Sequence, residues 1–337
     1  MKKKIIHIST HYYPVNGGQQ IYIDNLKKYL IDYEHIVVQI GDKDVVYPDH
    51  VYPVEIPYKN ILKAFSFYVY NASVGKLILD LIATDEIDVN NDIFLCHYAF
   101  HYSIVKNFKN VLILSHGVEW DGPGNTLKKL YHSHRKKINQ RLIREDSVKI
   151  ISNDLNYFLQ LGLQNTNDSH FFSEIKANKW LVPNSVNTEI FEKKELTNSY
   201  FDSPAIVIPR NIVPQRGMEF VIRALSELKG NGSFMDYKLY IVGVKYDIAY
   251  YNSLVSLIDR LNLNDDVVFY GSIPYEETPL MYNSADLVVI FSLFREGTSL
   301  AALEAMACST VVVSTDIGGL KDLPTIKANR DNLASVM

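Results

Sequence analysis

Short runs of β-branched and apolar residues recur along the chain, each followed by a polar or glycine-containing turn and then by a longer segment of mixed character. That alternation is the pattern of strand–helix units on a parallel sheet. In the first half the apolar runs are Lys4 to Ile8, Ile36 to Ile40, Ile93 to Cys96, Val111 to Ser115, Val148 to Ser152 and Trp180 to Val182. Pro183-Asn184-Ser185 interrupts the pattern, and the charged stretch to about Ser203 reads as a linker. A second series follows at Ala205 to Ile208, Tyr237 to Val242, Val267 to Tyr270, Leu287 to Phe291 and Thr310 to Ser314. The pattern predicts an α/β protein of two doubly wound, Rossmann-like parallel-sheet domains, 1–185 and 186–337, facing across a cleft. Ligands of such sheets bind outside the carboxyl ends of the strands, so the loops after each strand are the places to search.

Composition narrows the class. A chain of 337 residues with 47% hydrophobic and 21% charged content has room for two cores of ordinary size. Its net charge of −4 carries no acidic or basic tail. The two cysteines, Cys96 and Cys308, each sit in an apolar segment, which suits reduced core thiols of a cytoplasmic protein. The start, MKKKIIHIST, turns polar too soon for a signal peptide, and no apolar run approaches the roughly 20 residues of a membrane span.

The richest stretch runs from Phe294 to Gly319. A polar turn, Arg295-Glu296-Gly297-Thr298, precedes helix formers from Ser299 to Ala307, which lead into the last strand of the series. Glu296 and Glu304 are eight residues apart, roughly 12 Å along a helix, with the helix-start amides of Gly297, Thr298, Ser299 and Leu300 between them. Acid, anion-binding amides and acid outline a sugar, a diphosphate and a ribose; two solvated acids on an amphipathic helix fit the same spacing.

Other strand-end loops add to this. Gly17-Gly18 precede a helical segment from Ile21 and suit a backbone turn close to a ligand, or a plain tight turn. His116 follows the fourth strand, placed to bond a substrate hydroxyl or to cap its turn. Arg210 and Arg216 flank one strand-to-helix loop and can clamp a diphosphate, unless both are merely solvated. Gly243 ends the next strand, where a backbone can cradle a base or simply make an ordinary turn. Between Leu127 and Arg144 lie seven Lys or Arg and two His with no acid, in an amphipathic pattern. Such a basic helix can rest on an anionic membrane surface, though a plain solvated helix fits the pattern better. One basic helix in a chain of negative net charge lacks the broad footprint of a nucleic-acid binder. Asp42-Lys43-Asp44 has the D-x-D form of metal-dependent transferases, but two strand–helix domains are the wrong architecture for it.

In this order the motifs resemble the retaining glycosyltransferases of family four, which have the two-Rossmann-domain GT-B fold. Glu296-Gly297 with Leu300 and Leu303-Glu304-Ala305-Met306-Ala307 is similar to the family's E-x7-E signature. Val182 to Phe191 resembles its interdomain segment, and Asp316-Ile317-Gly318-Gly319 its loop after the late strand. The resemblance implies transfer of a sugar from a nucleoside-diphosphate sugar, a UDP- or GDP-sugar, to a glycan, lipid-linked or other hydroxyl acceptor, as in surface polysaccharide or glycoconjugate synthesis. It implies no cofactor and no metal. By it, Glu304 binds the donor ribose and Glu296 a hydroxyl of the sugar. Arg210 and Arg216 neutralise the diphosphate, the amides from Gly297 to Leu300 sit at sugar and diphosphate, Gly17-Gly18 line the cleft, and His116 faces the sugar. The first domain is then the acceptor side and the second the donor side.

The chain departs from the pattern at Pro209, Gln20, Ser299, Ser309 and Val311, and Arg216 stands where a lysine is usual. Family members usually continue beyond a segment like Asp331 to Met337 with helices that return to the first domain, so a short C-terminal end is expected. A nucleotide-sugar epimerase on the same fold, and a donor-binding but inactive partner of another transferase, are the competing readings.

Overall fold

A computed structural model of the chain describes residues 2–15, 17–56, 66–122, 126–164, 172–294 and 296–337. Asn16, Arg295 and part of the 119–126 loop (123–125), all within stretches singled out from sequence, lie outside these residues. The chain divides into two compact units, Met1–Pro183 and Asn184–Met337.

The first unit is built on an eight-stranded sheet: β1 (Lys4–Ile8), β2 (Glu34–Ile40), β3 (Val51–Val54), β4 (Ile93–Cys96), β5 (Val111–Ser115), β6 (Lys149–Ser152), β7 (Ser173–Lys176) and β8 (Lys179–Leu181). Its order is β3-β2-β1-β4-β5-β6-β8-β7, parallel except for the β7–β8 hairpin at one edge. Helices α1 (Gly18–Tyr29), α2 (Ser66–Ala83), α3 (Tyr102–Val105), α4 (Thr126–Arg144) and α5 (Leu155–Gln160) cover it. The central strands are the apolar runs read from sequence, and their side chains are buried on both faces, as crossover helices require. Two strands escaped the pattern. Val51–Val54 contains Pro53, which is tolerated because β3 is an edge strand, and Ser173–Lys176 is polar because it is the opposite edge.

The second unit carries β9 (Ala205–Ile208), β10 (Lys238–Val242), β11 (Val267–Gly271), β12 (Leu287–Ile290), β13 (Val311–Thr315) and β14 (Ile326–Ala328), all parallel, in the order β11-β10-β9-β12-β13-β14. Helices α6 (Met218–Gly230), α7 (Ile248–Arg260), α8 (Thr278–Ser284), α9 (Leu300–Ala307) and α10 (Leu333–Val336) flank it. In both sheets the order reverses beside the first strand, between β1 and β4 and between β9 and β12. These switch points open a crevice at the carboxyl ends.

The stretch expected to be a linker is not free chain. Phe191 and Phe201 are buried in the second unit's core, the amide of Lys194 bonds the Asn283 side chain at 2.7 Å, and that of Tyr200 bonds Ser284 at 2.8 Å. Its charged residues hid two buried aromatic anchors. Cys96 and Cys308 are both free and buried.

Lys179 at the start of β8 is fully buried, yet its ammonium donates to the carbonyls of Glu145 (3.0 Å) and Val148 (2.6 Å). Burial lowers its pKa, and the carbonyls are what make the charge tolerable. Lys179→Met keeps the stem and removes the donors, and is expected to cost about 1–3 kcal/mol. Urea unfolding followed through Trp120 and Trp180, both in this unit, measures it; an unchanged midpoint refutes the pinning role.

Candidate functional site

The second unit's switch point brings three charged side chains together. Arg210 follows β9, Ser292 follows β12, and Glu296 sits in the turn before α9. Arg216 closes the short turn Pro214–Arg216 that enters α6 through Gly217, whose φ of 52° is left-handed. An Nη of Arg210 lies 2.5 Å from Glu296 Oε2, and Arg216 contacts the same oxygen. Ser292 donates to that oxygen at 2.7 Å and accepts from both guanidiniums at 3.1 Å. Two cations on one carboxylate leave a net positive charge. Burial pushes the Glu296 carboxyl up, but Arg210 and Arg216 override it and hold the pKa down at about 2. Arg210 Nε is buried and takes no partner among the described residues, so one donor of this cluster is still open.

Glycines fix this geometry. A Cβ at Gly318, where φ is 52°, would lie 2.0 Å from the Glu296 carbonyl oxygen, and one at Gly319 would meet Gly297 and Thr298 backbone atoms at 2.5 Å. The amide of Gly319 bonds the Glu296 carbonyl at 3.0 Å. A Cβ at Gly243 would strike the Arg210 carbonyl at 2.3 Å, and its amide bonds the Gly271 carbonyl at 2.8 Å. Gly243 therefore serves at least to let the Arg210 backbone approach β10, a role not visible in the sequence.

Glu304 lies on α9, buried like Glu296, at 6% and 5% exposure. Neither is a solvated surface acid. Glu296 precedes the helix rather than lying on it, so the helical 12 Å estimate does not apply. Glu304 accepts from the hydroxyls of Tyr275 (3.2 Å) and Tyr282 (3.0 Å). Burial raises its pKa to about 7, and these two bonds only partly oppose it. Ser299 caps α9, its hydroxyl accepting from the Ala302 amide at 3.4 Å, and the Thr298 carbonyl accepts from Asn184 at 2.7 Å. Gly297 and Leu300 flank these two, on either side of the helix start. Ser292, Tyr275 and Tyr282 were not anticipated. Ser292 was findable, since it directly follows a strand; the tyrosines come from α8 and the turn before it, and packing alone brings them to Glu304.

In the first unit Gly17 is the N-cap of α1, extended at φ −159°, with no side chain capping the helix amides that begin at Gly18. His116 is partly exposed just after β5 and does not simply cap its turn. Its Nε2 bonds His97 Nδ1 at 2.9 Å; His97 Nε2 bonds His7 Nδ1 at 3.0 Å; His7 Nε2 bonds His35 Nδ1 at 2.9 Å. Burial lowers all four pKa values, that of His7 to about 3 and that of His116 to about 4.

The basic segment forms α4, but its charge is less outward than counted. Arg135 is half-buried against Glu119 and lies over the rings of Tyr98, Phe100 and Tyr131, and Arg141 pairs with Glu145 at 3.1 Å. Leu142 and Ile143 pack inward, whereas Leu127 and Leu130 are exposed beside Lys128 and Lys129. Asp42 and Asp44 lie in an exposed turn in which the Asp42 carboxylate accepts the Asp44 amide at 3.4 Å. No described helix is long and apolar enough to cross a membrane.

Residues 189–329 match the family model of Glycosyl transferases group 1. The chain is 24% identical over 314 residues to an uncharacterized glycosyltransferase of Methanocaldococcus jannaschii, covering 93% of this chain and 79% of that protein. Sucrose-phosphate synthase from Thermosynechococcus elongatus superposes with a TM-score of 0.75 at 17% identity, over 99% of this chain and 88% of that one. Anabaena HepE in complex with UDP-glucose superposes with a TM-score of 0.69 at 16% identity, over the same shares. The likeness establishes the fold as two Rossmann-like parallel-sheet units of the GT-B type, and the family-model match lies within the second unit.

Gly318→Ala must displace the Glu296 turn, and is expected to loosen the Arg210–Glu296–Arg216 cluster and lower the second unit's stability by about 1–3 kcal/mol. Hydrogen exchange at the Gly319 amide reads the effect; unchanged protection refutes it. Acid provides a second check. The unfolded histidines titrate near 6.5 while the folded ones resist protonation, so below about pH 6.5 the unfolded chain binds more protons and the first unit loses stability. Its tryptophan-monitored melting temperature should fall steadily from pH 6.5 to 4.5; a flat profile contradicts the buried neutral ladder.

Proposed function

We propose that the protein is a retaining glycosyltransferase that moves a sugar from a UDP- or GDP-linked donor to a hydroxyl of a glycan or lipid-linked acceptor. The carrying observation is the cluster of buried Glu296 with half-buried Arg210 and Arg216, net positive and with Arg210 Nε open, at a sheet switch point beside the α9 N-terminus. A diphosphate is the anion such a place suits. HepE in its complex with UDP-glucose shares the fold, which supports a nucleotide-sugar donor.

In this reading the bond from the sugar's anomeric carbon to the phosphate oxygen breaks while the acceptor oxygen bonds the same carbon on the same face. The acceptor proton passes to the departing phosphate oxygen, so no protein base is assigned. Negative charge grows on the leaving diphosphate, and Arg210, Arg216 and the amides from Gly297 to Leu300 stabilise it from fixed positions. These cations supply the charge compensation without a metal. Glu296, held ionised, accepts from a sugar hydroxyl, and Glu304 accepts from the ribose hydroxyls through the lone pairs its tyrosines leave. Peripheral contact of α4 with an anionic membrane, through Leu127, Leu130 and the neighbouring lysines, belongs to the same proposal.

Calorimetry with UDP, GDP and their sugars, combined with donor turnover, tests it. Glu304→Ala is expected to weaken nucleotide binding about 10- to 100-fold, the loss of one or two hydrogen bonds to a charged group; equal binding would falsify the assignment. Because the Glu304 carboxyl titrates near 7 and accepts two hydroxyls only when ionised, nucleotide affinity should rise from pH 6 to pH 8. Tyr282→Phe removes a bond that favours the carboxylate and should move that rise to higher pH; an unmoved profile rejects the link.

A further inference from the structure

The four histidines climb the first sheet on one diagonal. His35 on β2 is level with Ile5 of β1, His7 on β1 is level with Leu95 of β4, and Cys96 of β4 is level with Ile113 of β5. Each step from His35 to His7, His97 and His116 thus crosses one strand and advances two residues toward the carboxyl edge. All four side chains share one face, the face on which Ile5, Leu95 and Leu114 pack against Tyr22 and Leu26 of α1. Neighbouring rings are near parallel, at 7° to 21°, with centroids 5.2 to 5.3 Å apart, so the N–H···N bonds run edge to edge.

The ends of the ladder differ. At the buried end His35 Nε2 lies 3.3 Å from the carbonyl of Leu30, the C-cap residue of α1. A carbonyl can only accept, so His35 Nε2 carries the hydrogen and its Nδ1 is the bare acceptor. A neutral imidazole has one donor and one acceptor, and this polarity passes ring by ring. His7 donates from Nε2, then His97, then His116. At the exposed end His116 Nδ1 is left bare, and it takes no partner among the described residues, while the ring packs edge-on to Tyr22.

We propose that the Leu30 carbonyl, acting through His35, His7 and His97, locks His116 as the Nε2–H tautomer, whose Nδ1 accepts a hydrogen bond from a hydroxyl of the bound sugar. His116 is then the contacting group and the other three are positioning residues. The ladder is a lock rather than a wire. A proton entering at Nδ1 can advance as far as His35, but there it meets an amide carbonyl that cannot carry it on. The groups around the ladder oppose a standing charge as well: Lys27 and Lys2 lie near His35, and His101 near His97, while the carboxylates of Asp24 and Asp49 lie beside His50 rather than against a ring of the ladder. Reversing the polarity would turn a lone pair toward the Leu30 carbonyl and flip four tautomers together. A ligand that offers a hydroxyl therefore fits at no such cost, and one that offers only an acceptor does not.

The proposal rests on the transferase reading only for the sugar, and the test separates the two. In the full-length protein labelled with ¹⁵N-histidine at pH 7, the expected spectrum shows four neutral rings protonated at Nε2, joined by three N–H···N couplings. A His116 protonated at Nδ1, or a charged ring in the ladder, overturns the lock whether or not the protein transfers sugar. In a folded His35→Phe variant, which keeps the ring but has no nitrogen, the His116 signals should show both tautomers. Transfer kcat/KM should fall about tenfold while affinity for the bare nucleoside diphosphate stays the same. A His116 that keeps one tautomer in that variant overturns the role of His35. A donor sugar whose hydroxyl is replaced by fluorine should lose affinity at one ring position in wild type and less in the variant; equal losses at every position overturn the hydroxyl preference.

Discussion

The second unit depends on one interaction, a carboxylate held out of water by two guanidiniums and a serine. Removing any partner of Glu296 would leave a buried charge under-compensated, and such a loss costs far more than a surface pair returns. The surrounding backbone is shaped to avoid it. β9 and β12 must be neighbours to bring Arg210 beside Ser292, and Gly243 must lack a Cβ so that the Arg210 backbone can approach. Gly318 and Gly319 must lack one so that the Glu296 turn can settle against them. The glycines are the steric counterpart of the electrostatic constraint.

Two glutamates eight positions apart end in opposite environments. Glu296 faces cations and stays ionised far below neutral pH, whereas Glu304 faces two neutral phenols in an apolar wall and titrates near 7. Separated pKa values often mark an acid and base pair. Here the arrangement argues otherwise. The low-pKa group is pinned as a carboxylate by its cations and the high-pKa group is enclosed by Tyr275 and Tyr282, an arrangement of fixed hydrogen-bond acceptors rather than of a paired acid and base.

Much of this was legible in the sequence, because parallel sheets leave a direct signature. Every strand buried on both faces was visible as a β-branched run, and the rule that ligands gather at carboxyl ends led to Arg210, Arg216, Glu296 and His116. The edge strands β3, β7 and β14 were not visible, since an edge needs no continuous apolar run. The linker reading failed because Phe191 and Phe201 anchor a stretch whose composition is dominated by charge. The tyrosines on Glu304 were hidden for a different reason: their contact depends on how α8 packs against α9, which no local pattern encodes.

The histidines show where register enters. His7, His35, His97 and His116 are unremarkable one at a time, and only the strand pairing puts them on one diagonal. Once paired, they turn a distant backbone carbonyl into a property of a partly exposed ring. The two units then present opposite hydrogen-bonding polarity at their strand ends. The second presents guanidinium and helix-amide donors, which suit the oxygens of a diphosphate; the first presents a bare imidazole nitrogen, which suits a hydroxyl. Each polarity follows from its own unit's strand pairing: the donors from the neighbouring of β9 and β12, the bare nitrogen from the stagger across β2, β1, β4 and β5.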